Sequence, residues 1–231
     1  MKVRFPHRSH GGFTLIELII VIAILATLAS IAYPTYMSIQ ENASKTAAKK
    51  VCTDIVEGVT RFAQDYNGMM PYDANEAQPD AQDQIYLRTK AGEDARLIMV
   101  LTNREEDDAD NRINTNRDTY LRSDEQEQPR DGLFIDANDG INFYHPWGQP
   151  YYLVLCEEEK GCIDPFTSKR LRGKKCLVYS LGADGEGAGN TEAATSRKGA
   201  KKGKNNTKND TSAEAEAEAI EDNVYSWKNP K

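Results

Sequence analysis

A chain of 231 residues has room for one modest domain, and a formal charge of −7 gives it an acidic exterior. That balance argues against a dedicated nucleic-acid surface. The mean hydropathy is negative, so one short part of the chain at most belongs in lipid.

That part lies near the start. Lys2, Arg4 and Arg8 precede Gly11-Gly12, and from Phe13 to Tyr33 the chain is apolar apart from small hydroxyl residues and one carboxylate, Glu17. About 20 apolar residues in a helix cross a bilayer core. The basic residues keep the segment that carries them, ahead of the run, on the cytoplasmic side by the positive-inside rule. A charge in lipid costs roughly 2.5–3.5 kcal/mol on insertion scales, so Glu17 reads as functional and calls for a partner. Two plainer readings are a secretory signal cut near Ser30-Ile31-Ala32 and a simple single-pass anchor. Neither accounts for Glu17, nor for glycines that precede the apolar run.

Gly12-Phe13-Thr14-Leu15-Ile16-Glu17 resembles the processing site of type IV pilins and type II secretion pseudopilins. The resemblance implies that a prepilin peptidase cuts after Gly12 and that Phe13 becomes the N-methylated first residue. It also implies that Glu17 sits beside the N-terminal amine of a neighbouring subunit during assembly. The physics agrees, because a carboxylate and an ammonium paired in low dielectric are held strongly while either alone is costly. Loss of the leader's three positive charges takes the formal charge from −7 to −10.

Helical character continues beyond the span. Pro34 interrupts it, since an internal proline removes a backbone bond and kinks the axis; pilin-like chains often carry a proline here. Val51, Ile55, Val59, Phe62 and Tyr66 then recur at helical spacing, with Lys49, Asp54, Glu57 and Arg61 off the stripe. A helix from Phe13 to about Asp65 would be roughly 80 Å long at 1.5 Å per residue. Asn67-Gly68 and Pro71 end it.

Residues 71–83 are polar and turn-rich. A second helix is expected over 91–103, with Ala95, Ile98, Met99 and Leu101 for packing. Residues 104–130 are dense in charge and amide groups and read as an exposed, poorly ordered excursion. Strand signals follow at Leu133-Phe134-Ile135, at 151–156 and at 175–180, with a turn at Asn138-Asp139-Gly140. They predict an antiparallel sheet that buries the stripe of the long helix.

Two patches sharpen the resemblance. Pro146-Trp147-Gly148-Gln149-Pro150-Tyr151 is similar to the Asp-Pro-Trp-Gly-Asn-Pro-Tyr segment of major pseudopilins, with His145 in place of the Asp and Gln149 in place of the Asn. Val178-Tyr179-Ser180-Leu181-Gly182-Ala183-Asp184-Gly185 resembles their last strand and the start of their calcium loop. Residues 190–219 are low complexity, Lys/Gly/Asn-rich and then an Ala-Glu repeat, and cannot bury enough apolar surface to order themselves. They split that loop, because 221–227 resembles the family's acidic-then-Trp ending. The resemblance therefore implies a Ca²⁺ site from the Leu181 carbonyl, Asp184, Glu221 and Asp222. On spacing alone, 184–187 is a solvated turn and not an EF-hand.

Cys52, Cys156, Cys162 and Cys176 fit no common zinc spacing, and four cysteines allow three full pairings. Outside the inner membrane disulfides are permitted. Cys52, on its helix, reads as a free buried thiol. His7 and His10 leave with the leader, and the lone His145 beside a Pro-Trp turn reads as structural. No catalytic arrangement is visible, so the chain is expected not to be an enzyme.

The expected fold is α+β and type IV pilin-like: a long N-terminal helix, half membrane-spanning and half amphipathic, on a small antiparallel sheet. The parts are leader 1–12, transmembrane half 13–36, amphipathic half 37–66, head 67–189 with the charged insert 104–130, low-complexity insert 190–219 and closing tail 220–231. The expected role is a pseudopilus subunit of a type II secretion system, with the head in the periplasm. Its partners would be further copies of itself, other pseudopilins, the inner-membrane assembly platform and the prepilin peptidase. A surface type IV pilin and a membrane-tethered binding or enzymatic domain are the alternatives.

Overall fold

The computed structural model describes residues 13–72, 79–80, 82–90, 96–105, 111–156, 160–185 and 223–227. The long helix is continuous: α1 runs Leu15–Asp65, with Pro34 inside it. Asn67 closes it with φ 54°, and Gly68 N donates to Ala63 O at 2.6 Å. A left-handed residue followed by this six-to-one bond is a Schellman stop, which asparagine tolerates better than most side chains. The chain forms two compact units, 1–43 and 44–231.

In the first unit the helix is apolar on every side, and Leu, Ile and Val side chains from Leu15 to Ile39 are about half exposed or more. Its hydroxyls do not reach outward. Thr27 and Ser30 donate to the carbonyls of Ile24 and Thr27 at 2.8 Å, and Thr35 to Ile31 at 3.0 Å. Satisfying polar groups within the helix is what a hydrocarbon solvent demands.

In the second unit, Ala48, Cys52, Ile55, Val59, Phe62 and Ala63 are buried, which is the predicted stripe moved slightly round the helix. They meet a four-stranded antiparallel sheet of order β1-β4-β7-β8. Its strands are β1 Gln84–Arg88, β4 Tyr152–Cys156, β7 Cys176–Ser180 and β8 Val224–Tyr225. A hairpin of β2 Gly132–Ile135 and β3 Ile141–Tyr144 stands beside it. Thr89 stitches the two together: its N–H donates to Tyr151 O, its carbonyl accepts from Phe143 N, and its hydroxyl accepts from Tyr151 N. A smaller hairpin pairs β5 Cys162–Ile163 with β6 Arg170–Leu171.

Strand alternation splits the interior in two. Leu153, Leu155, Cys176 and Val178 pack with the helix, whereas Tyr152, Val154, Leu177 and Tyr179 pack on the other face with Phe166, Tyr225 and Trp227. Cys156 and Cys162 are joined and tie the β5–β6 hairpin to that outer face. Cys52 and Cys176 are free and fully buried, and burial raises both thiols well above their ordinary range, which leaves them inert.

Three expectations need correction. The second helix is shorter: α2 is Arg96–Leu101, and residues 91–95 lie outside the described residues. Strands β1, β3, β5, β6 and β8 had no clear sequence signal. The charged segment 104–130 is not a free excursion where it is described. Tyr120 and Leu121 are buried in the helix-side core, and their N–H groups donate to Leu101 O. Glu105 is buried as well, and its carboxylate accepts from the N–H groups of Ile113 (3.0 Å) and Asn114 (2.8 Å). The Asn114 amide donates to Val100 and Asp118 carbonyls and accepts from the Tyr66 hydroxyl. Polar side chains that meet backbone groups can be buried without penalty, so composition alone misjudged the segment. Gly58 makes room for it, since a Cβ there would come within 3.0 Å of Tyr120 O.

Candidate functional site: the helix start and the β7–β8 loop

Two places carry the predicted site residues. The first is the beginning of α1. Thr14 stands just before the helix and Glu17 in its first turn. Glu17 Oε2 accepts from Thr14 N at 2.9 Å and from Thr14 Oγ1 at 2.8 Å, while Glu17 N donates to Thr14 Oγ1 at 3.3 Å. This is a capping box, the reciprocal pairing that Thr-x-x-Glu forms at a helix start. The pattern stands in the sequence, and its mechanism was the signal that would have identified Thr14. Both bonds to the carboxylate use Oε2, which leaves Oε1 outside the box. Phe13 precedes the helix and is largely exposed. Gly12 lies outside the described residues.

The second place is where the chain leaves β7 and returns in β8. Ser180 pairs with Val224 and Tyr179 with Tyr225. The return is clamped on every side. Ser226 N donates to Val178 O, and Ser226 Oγ accepts from Val178 N. Trp227 Nε1 donates to Asp164 at 3.2 Å, and Lys49 of α1 donates to the Tyr225 carbonyl. Leu181 is buried and begins the turn, Gly182 takes φ 73°, and Asp184 lies exposed on the turn. Glu221 and Asp222 lie outside the described residues.

The residues present fit a hard cation in one respect. Asn223, next to those carboxylates in sequence, is 8% exposed, and its Oδ1 has no hydrogen-bond partner. An oxygen left over in this way is what an oxygen-liganded ion would use. Among the described residues no group of three acidic, His or Cys side chains converges.

The turn at 145–150 abuts this loop. A Cβ on Gly185 would collide with the Gln149 carboxamide, and Gly185 itself has φ 70°. His145 is fully buried. Its Nδ1 accepts from Trp147 N at 3.2 Å, and its ring meets Trp147 and Tyr151 edge-on. Nε2 therefore carries the proton, and it has no partner. Burial lowers the imidazole to about 4. Its role is structural, as a neutral acceptor inside a turn.

Comparison with known proteins bears on the first place. The family described as the prokaryotic N-terminal methylation motif matches residues 7–33. No curated protein and no solved structure matches the chain. The matched stretch includes Gly12, Phe13, Thr14 and Glu17, so the capping box lies inside the motif. The motif indicates a type IV pilin-like subunit of a filament, made as a prepilin and processed by a prepilin peptidase. Its apolar helix is compatible with membrane anchoring. The long helix with an antiparallel sheet is the α+β architecture expected of such a subunit.

Proposed function

We propose that the protein is a pseudopilin of a type II secretion system, a structural subunit that polymerises into a periplasmic filament and has no catalytic role. The observation that supports this over other filament subunits joins two distant patches. The 146–151 and 178–185 segments both resemble major pseudopilins, and the fold packs Gln149 of one against Gly185 of the other. Segments that resemble one family and also touch are better support than either alone.

In this reading the peptidase cuts after Gly12, Phe13 is methylated and Glu17 receives the amine of the next subunit. The anchor crosses the inner membrane once and the head lies in the periplasm. The partners are the same chain, other pseudopilins and the assembly platform. A Ca²⁺ ion would be held by the Leu181 carbonyl, Asp184, Glu221 and Asp222. When bound it would supply a positive centre for those oxygen ligands. The long insert between the two halves is a small obstacle, since closure entropy grows only as about (3/2)RT ln n.

The test is location and company. Immunogold labelling of intact and opened cells should place the chain in the envelope, co-purifying with the assembly platform. Intact mass should start at Phe13 with one added methyl group. Labelled fibres on intact cells would replace the secretion role with a surface pilus. A mass starting near Ile31 or Tyr33 would remove the prepilin reading altogether.

A further inference from the structure

Strand β1 forms one edge of the four-stranded sheet, and β4 is its neighbour there. In an antiparallel pair, residues alternate between those whose backbone groups point at the partner strand and those whose groups point away. Two contacts fix the phase. Thr89, which continues β1, gives its N–H to Tyr151 O on the β4 side. Gln84 turns the other way: its carbonyl accepts from Asp80 N at 2.8 Å, and its N–H donates to Asp80 Oδ1 at 2.9 Å. Ile85 and Leu87 therefore exchange backbone bonds with Leu155 and Leu153, while Gln84, Tyr86 and Arg88 turn theirs away from β4.

The Asp80 turn takes up Gln84 and goes no further. Among the described residues, nothing bonds to the outward N–H and C=O of Tyr86. An open edge is a template for another strand, and proteins blunt it with a proline, a bulge, a covering segment or charge. The five residues of β1 include no proline and pair with β4 in unbroken register. What the edge carries is charge of one sign. Arg88 lies over the Tyr152 ring, 5.3 Å from its centroid, which sets the guanidinium on the outer face of the sheet. Lys90 follows two residues on and is exposed. Asp83, at the other end, is already paired with Lys160 at 2.9 Å. On a chain of net charge −7, this half of the edge is basic. Like charges across a strand pair repel and opposite charges attract, so the edge turns away a basic strand and admits an acidic one.

We propose that β1 takes up an extended acidic segment of a partner protein, which adds a strand beyond the present edge of the sheet. Backbone bonds to Tyr86 hold the segment, and carboxylates facing Arg88 and Lys90 select it, the division of roles usual in strand addition.

The probe is the peptide acetyl-Thr-Glu-Val-Glu-Val-Glu-Thr-amide, whose Glu side chains share one face when extended. The control peptide has Lys in place of each Glu. The full processed chain in detergent is followed by amide hydrogen exchange and by chemical shifts in NMR spectra. Without peptide, the Ile85 and Leu87 amides should be protected and the Tyr86 amide should exchange freely. The Glu peptide should slow Tyr86 exchange at least about tenfold, and the Lys peptide should not. Tyr86→Pro deletes the outward donor and spares the β4 ladder, which an edge strand tolerates. It should lose the shifts that the Glu peptide induces at Ile85 and Leu87. Arg88→Glu should weaken the Glu peptide and take up the Lys peptide instead, and this swap carries the test where the proline variant misfolds. A Tyr86 amide protected in the free chain overturns the proposal, because the edge is then covered, by a second copy if protection grows with protein concentration. Equal protection by both peptides, or by neither, overturns it as well. Unchanged shifts in Tyr86→Pro place the peptide elsewhere and do the same.

Discussion

One helix has two halves of different character in this protein. From Leu15 to Ile39 its large apolar side chains are exposed on all sides, and from Ala48 to Ala63 a single stripe is buried to completion. The first stretch needs nothing from the rest of its own chain: its backbone and hydroxyl groups are satisfied locally. The second is held by residues far away in sequence, such as Leu101, Tyr120 and Val178. The contrast teaches where each stretch finds its partners. The apolar stretch is compatible with membrane anchoring, and the striped stretch packs on its own sheet.

The largest expected effect breaks the first stretch. Glu17→Ala should leave membrane insertion and processing at Phe13 intact, or improve insertion, because it removes a charge from lipid. If Glu17 receives the neighbour's amine as proposed, filament assembly should be lost, because that amine has no counter-charge. The measurement is sheared-filament yield relative to total subunit, with normal yield refuting the role.

Next comes a matched pair across the two stretches. Phe62 stacks on Tyr66 at 4.2 Å and meets Tyr120 edge-on at 5.3 Å. Phe62→Ala should cost about 3–5 kcal/mol, the usual range for a fully buried phenylalanine. Ile24→Ala, in the exposed stretch, should leave the head's unfolding within about 0.5 kcal/mol of wild type. Denaturant unfolding of both processed chains in detergent checks the difference. Equal losses would mean that the two stretches fold as one unit.

The same contrast explains what could be read in the sequence. The span, its carboxylate and the cleavage motif are local patterns, and a transmembrane helix obeys a local rule. The stripe at 51–66 was legible for the same reason, as was the stop at Asn67-Gly68. Strand β7, rich in Val, Leu and Tyr, announced itself. Strand β1, Gln84–Arg88, did not, because its existence depends on pairing with β4 some seventy residues away. Segment 104–130 was misjudged because Glu105 and Asn114 look solvated until the backbone groups that they bind are known. Asn223 escaped notice because an asparagine is unremarkable until its burial is seen.

Acid should act on the head and spare the span. His145 is buried as a neutral acceptor, and its pKa falls from 6.5 to about 4. Between those values the unfolded chain binds a proton that the folded chain refuses. Stability is therefore full above about 6.5 and declines as pH falls toward 4. The loss from this group alone is on the order of 3 kcal/mol. His145→Gln, a neutral residue with an acceptor, should flatten that slope. Unfolding of wild type and variant at pH 7 and pH 4.5 tests it; parallel slopes would assign the acid sensitivity elsewhere.

The smallest effect concerns Thr14, and it tests whether the exposed stretch is wholly self-sufficient. The hydroxyl of Thr14 both accepts from Glu17 N and donates to Glu17 Oε2. The Thr14 backbone N–H makes a second bond to the same oxygen. Thr14→Val removes the hydroxyl and keeps the backbone bond, so the carboxylate is held less firmly and the helix start loses a cap worth about 1 kcal/mol. In the assembly reading proposed above, Oε1 outside the box is left for the incoming amine and the hydroxyl serves to fix the carboxylate. Filament yield should therefore drop severalfold but persist, well short of the Glu17→Ala defect, with processing at Phe13 verified by mass. Thr14→Ser restores the hydroxyl and should restore the yield. If Thr14→Val assembles like wild type, the box is only a helix cap and Glu17 needs no positioning. If it fails as completely as Glu17→Ala, Thr14 contacts the neighbouring subunit or the assembly platform itself, and the exposed stretch depends on a partner one residue earlier than the carboxylate pairing requires.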